Sequence, residues 1–107
     1  MAVTIRVPNL GPSILVPVET LEPEPYELVR PVLIVVQPDN GSFIATLFDA
    51  NINASGDTQQ DAVANLKDML VTLFERLERE PRANLGKGPA MQLAVLRRIL
   101  RGKKPQE

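Results

Sequence analysis

The sequence predicts an α+β fold: a small antiparallel sheet of three or more strands, packed by one long helix, with a second helix near the C-terminal end. Three observations carry this. Residues 32–36 are a β-branched apolar run, followed by an Asn40-Gly41 turn signal and a second apolar segment, a strand-turn-strand pattern. Ala62, Val63, Leu66, Met69, Leu70, Leu73, Phe74 and Leu77 recur at helical spacing. Pro89 and Gly102 bracket a shorter run with the same period.

Taken in order, residues 1–18 hold two candidate strands. Val3, Ile5 and Val7 alternate with Thr4 and Arg6, and Ile14 to Val18 is interrupted by Pro17. Pro8, Pro12 and Pro17 point to an edge position or an arm outside the core. Residues 19–27 hold four carboxylates and two prolines, which predicts an extended, solvated linker. The strand over residues 28–36, the loop over 37–42, the returning strand over 43–48 and a short third strand over 52–55 form the sheet. The domain organisation expected is an arm and acidic linker over 1–27, an α+β core over 28–80, and a basic helix and tail over 81–107.

Thr58 is the expected N-cap of the long helix, with Asp61 at its third position, and the helix runs over 59–80 before Pro81. Its apolar arc spans about 140° at 100° per residue. At about 30 Å it is longer than six-residue strands of about 20 Å, so it overhangs the sheet. The second helix, from Pro89 to Gly102, offers Met91, Val95, Leu96, Ile99 and Leu100 as one possible cover. A second copy of the chain is the other, and Phe74, Leu77, Val95 and Ile99 are the expected contacts of such an oligomer.

The chain has no cysteine and no histidine. Thiolate chemistry and imidazole bases or metal ligands are therefore excluded, and no enzyme activity, cofactor or metal is expected. Asp49-Ala50-Asn51-Ile52-Asn53 begins like a calcium loop, but Ala54 and Gln60 stand where Gly and Glu are needed. Asp49 and Asp57 make one carboxylate pair without a third ligand, too little for a nuclease centre. The longest wholly apolar run is five residues, far below a membrane span, and no leader pattern opens the sequence, so a cytoplasmic protein is expected.

Charge is segregated. Residues 1–80 carry five basic and twelve acidic side chains, a net of −7, whereas residues 81–106 carry seven basic and none acidic, a net of +7. The favoured expectation is that the basic end folds onto acidic residues of its own chain or a twin subunit. The alternative is phosphate binding by Arg97, Arg98, Arg101, Lys103 and Lys104, which would make the chain a nucleic-acid-binding protein. No aromatic residue interleaves with these charges, so base stacking has no platform there.

One stretch, residues 29–78, resembles the HicB-like antitoxin family. The likeness lies in the strand, turn, strand and helix order, in Gly41-Ser42-Phe43-Ile44-Ala45, in the Ser55-Gly56-Asp57-Thr58 junction, and in Asp61-Ala62-Val63-Ala64-Asn65-Leu66-Lys67. The resemblance implies a partial RNase-H-like fold that binds a small, basic toxin ribonuclease and neutralises it by steric occlusion. It also implies a homo-oligomer, dimer or tetramer. The 27 residues after Glu80 leave room for one helix and a tail, so a stand-alone member without a DNA-binding module is expected. Expected partner contacts are Glu22, Glu24 and Glu27 with Ile44 and Phe48 of the exposed sheet face. A stand-alone oligomer-forming domain with no toxin is the remaining alternative.

Overall fold

Asn40 and Gly41 both take positive φ, 49° and 85°, the left-handed geometry that a two-residue hairpin requires. They join β4 (Val32–Asp39) to β5 (Ser42–Leu47), and the pairing runs from Asp39↔Ser42 to Val35↔Thr46. The computed structural model describes residues 3–7, 11–21 and 25–102. β1 (Val3–Val7), β2 (Gly11–Val18) and β6 (Ile52–Gly56) complete a five-stranded antiparallel sheet with order β1-β2-β4-β5-β6. β3 (Tyr26–Leu28) and β7 (Leu100–Gly102) pair as a separate two-stranded sheet. The helices are α1 (Gln59–Arg79) and α2 (Lys87–Ile99).

The N-terminal segment is not an arm. β2 lies beside β4, the central strand, and Val18 is buried in the core. The prolines are accommodated by how the strands are offset. β1 pairs with β2 only from Gly11 to Leu15, so Pro17 lies past the end of β1, where β2 is paired on one side alone. Pro38 lies past the end of the β2–β4 pairing, which stops at Val36, and is paired with β5. A missing amide costs least at such positions.

Residues 19–27 are not a free linker either. Leu21 is fully enclosed, at 1% exposure, and Tyr26–Leu28 forms a strand. Leu21 is the one large apolar side chain among the acids and prolines, and burying it offsets their preference for water. All three parts of the chain contribute to one core. That core draws Val18 and Leu21 from the first part, Ile34 and Leu66 from the second, and Leu93 and Leu96 from the third.

α1 begins where expected. Thr58 has extended backbone, and its Oγ1 accepts a hydrogen bond from the Asp61 amide at 3.0 Å. The helix lays Ala62, Leu66 and Leu70 on the sheet face that carries Ile34, Val36, Ala45, Leu47 and Ile52. Its C-terminal half does overhang, but the chain covers the excess itself. α2 packs against α1, and Tyr26 sets its ring edge-on to Phe74, with centroids 5.4 Å apart. Leu77, Val95 and Ile99 are consequently buried within one chain, at 7%, 5% and 7% exposure, and Phe74 is half-buried. Leu77, Val95 and Ile99 thus belong to the core of one chain and are not free for an oligomer contact, whereas Phe74 is partly exposed. Met69 and Met91, expected on the apolar sides of their helices, are exposed instead.

α2 starts at Lys87 with Pro89 third, still inside the first turn, where an amide has no helical acceptor. It ends at Ile99 rather than Gly102. Leu100 turns extended, with φ −111° and ψ 144°, and the next residues pair with β3; the Val29 amide bonds to the Ile99 carbonyl at 2.8 Å. The shortest dimension of the molecule is 21 Å, room for one sheet layer and one helix layer. On the second face of the five-stranded sheet Ser13 and Thr46 are buried, while Leu33 is 60% exposed.

Candidate protein-binding surfaces

β6 leads directly into α1, and the junction is tightly drawn. A Cβ on Gly56 would overlap the Ala62 amide nitrogen and lie 2.6 Å from the Asp61 carbonyl carbon. One turn later Asn65 Nδ2 donates to the Ser55 carbonyl at 2.8 Å. Helix and strand are thereby held side by side along the outer edge of the sheet.

An open cleft of about 690 Å³ runs along this edge. Asn53 and Ser55 of β6 form one wall, and Asn65, Asp68, Met69 and Thr72 of α1 form the other. Ile44 and Asp39 close it from the sheet. Two of its lining side chains are charged, Asp39 and Asp68, and both are acidic. Met69, 42% exposed, and half-buried Ile44 supply apolar surface between them. The cleft therefore offers carboxylates, amides and a flexible thioether to whatever enters it.

The sequence-predicted partner contacts are not gathered in one place. Ile44 lines the cleft. Phe48 opens a 3-10 turn after β5 and is 63% exposed. Glu27 belongs to the small sheet, where its carboxylate accepts from Arg101 Nε at 2.8 Å. Glu22 and Glu24 lie outside the described residues.

The basic C-terminal part is partly matched by its own chain. Arg97 makes a two-nitrogen contact with Glu78, and Arg101 pairs with Glu27. The hydrogen bond from Arg97 to Glu78 raises the guanidinium's pKa above its already high ordinary value. Arg98 is exposed, and Lys103 and Lys104 lie outside the described residues. Of the five cations predicted to meet phosphate, two are already engaged with carboxylates.

Asp49 sits in the 3-10 turn after β5, and Asp57 in the bend before α1. Among the described residues no three acidic side chains gather as a metal site would need. No helix among them is long and apolar enough to cross a membrane. The cleft residues Asn53, Asn65 and Asp68 were not singled out from sequence. The available signal was the Asn65-Leu66 pair of the helix motif, whose asparagine ties α1 to the sheet edge. No protein-family model, curated protein or solved structure matches the chain.

Proposed function

We propose that this chain is an antitoxin-type binding module that captures a small basic protein and occludes it sterically. The observation that supports this reading is the cleft along β6 and α1, whose charged lining side chains among the described residues are Asp39 and Asp68. Carboxylates on a half-apolar wall attract a cationic surface and repel nucleic acid. The likeness of residues 29–78 to HicB-like antitoxins gives the partner its class, a toxin ribonuclease with a basic RNA-binding surface. Its strength would come from apolar contact with Met69 and Ile44, its selectivity from the two acids.

Co-expression tests the reading. The product of the adjacent reading frame, which this reading expects to be a small basic protein, is expressed alone, with this chain, and with an Asp39→Lys/Asp68→Lys variant. Growth arrest by the neighbour, rescue by the parent chain and loss of rescue with the folded variant are expected. A harmless neighbour, or rescue undiminished by the charge reversals, overturns it.

A further inference from the structure

β6 is the last strand of its sheet, so alternate residues turn their backbone groups away from the ladder. The register shows which. The two-residue Asn40-Gly41 turn makes Asp39↔Ser42 a hydrogen-bonded pair, so Ser42, Ile44 and Thr46 bond to β4. Phe43, Ala45 and Leu47 are left to bond to β6, where their partners are Gly56, Ala54 and Ile52. Asn53 and Ser55 therefore face outward. The Ser55 carbonyl agrees, since it accepts from Asn65 of α1 rather than from β5 alone.

The chain closes this edge at its two ends. Asn65 occupies the Ser55 carbonyl, and Gln92 Nε2 donates to the Asn51 carbonyl at 3.4 Å. Between them the Asn53 amide, the Asn53 carbonyl and the Ser55 amide have no partner among the described residues. Nothing within β6 blunts the edge, for Ile52–Gly56 holds neither a charged residue nor a proline. The cleft lies directly outside these groups, roofed by Asn65, Asp68 and Met69 of α1. An added strand sits about 4.8 Å from its neighbour, which places it in the cleft.

We infer, resting on the capture reading above, that β6 accepts an extended segment of the partner as a sixth strand of the sheet. Backbone bonds to Asn53 and Ser55 hold the segment, and its side chains select it. These alternate between the side of α1 and the opposite side of the sheet. Asp68 and Met69 line the first, and Asp39 and Ile44 line the second. Each side thus offers one carboxylate and one apolar group. The segment that fits is extended and carries both lysines and β-branched residues.

Titrating the ¹⁵N-labelled full chain with the synthetic peptide acetyl-Lys-Lys-Val-Val-Lys-Lys-amide tests this. A second peptide is N-methylated at both valines, so that one methyl meets the edge in either register. The first peptide should shift the Asn53 and Ser55 amides and slow their hydrogen exchange. N-methylation should weaken binding roughly fivefold or more. Asn53→Pro should do the same, since it removes an amide that no strand of this chain uses and so spares the fold, verified by circular dichroism. Met91→Glu, exposed on α2, should leave binding unchanged. No binding at millimolar peptide, binding that leaves Asn53 and Ser55 unmoved, or binding indifferent to N-methylation and to Asn53→Pro overturns strand addition. The two readings fail separately. A harmless neighbour in the co-expression assay sinks the capture reading and leaves the peptide result standing. Rescue that Asn53→Pro leaves intact sinks strand addition alone.

Discussion

Arg97 holds the carboxylate of Glu78 with two nitrogens, Nε to Oε1 at 3.2 Å and Nη2 to Oε2 at 2.6 Å. This contact joins α2 to the last turn of α1, and it turns part of the basic helix inward on its own chain. Arg97→Ala and Glu78→Ala should each lower the melting temperature slightly, and the double variant should lose less than their sum. Both groups are solvent-accessible, so the coupling should vanish in about 1 M salt, where screening acts within about 3 Å. Additive losses that ignore salt would show that the pair contributes nothing.

The same pairing bears on nucleic acid. Deleting residues 97–107 would remove Ile99 and Leu100 from the core and unfold the chain, so that truncation tests nothing. An Arg98→Ala variant ending at Gly102 keeps every described core residue. Filter binding to duplex DNA at physiological salt should show no retention for the parent and no change for the variant. Retention by the parent that the variant loses would favour the phosphate-binding alternative.

Gly56→Ala should cost about 1–3 kcal/mol, because the added methyl meets backbone of α1 that has nowhere to retreat. Thr58→Ala, which removes the cap on the Asp61 amide, should cost about 1 kcal/mol. Urea unfolding measures both. A neutral Gly56→Ala would mean that the junction is looser than its geometry.

Tyr26 donates to the Glu75 carboxylate at 3.2 Å. Burial, then this hydrogen bond and the negative charge of Glu75, lift its pKa above the ordinary 10.0. The folded state thus favours the protonated phenol. Its contribution is fully present below the unfolded value and is lost as pH rises through the higher folded one. Stability should therefore fall in alkaline solution, and Tyr26→Phe, which keeps the ring on Phe74, should remove that part of the fall. An absorbance titration showing an ordinary phenol would contradict the assignment.

Much of the fold is legible in local chemistry. The hairpin is written in Asn40-Gly41, the start of α1 in Thr58 and Asp61, and the core face in Ala62, Leu66 and Leu70. Each depends on neighbours within a few residues. What was not legible depends on distant partners. Pro17 reads as a strand breaker until the end of β1 is known, and Leu21 reads as linker until the pocket that takes it exists. Leu100 reads as helix until β3 offers it an edge. The cleft likewise depends on distant partners. The Gly56, Thr58, Ala62 and Asn65 pattern marks how a strand and a helix are clamped together, and the cleft is a by-product of that clamp. Charge segregation was visible in the sequence, but Arg101 with Glu27 is a contact across 74 positions that spacing does not announce.

The capture reading rests on which surface meets the partner, and the chain's amide spectrum reports that directly. Titrating the purified neighbouring basic protein into the ¹⁵N-labelled chain should shift Asn53, Ser55, Asn65 and Asp68 while leaving Ala94 and Arg98 of α2 in place. Shifts concentrated on the arginine side of α2, with the cleft unmoved, would contradict it.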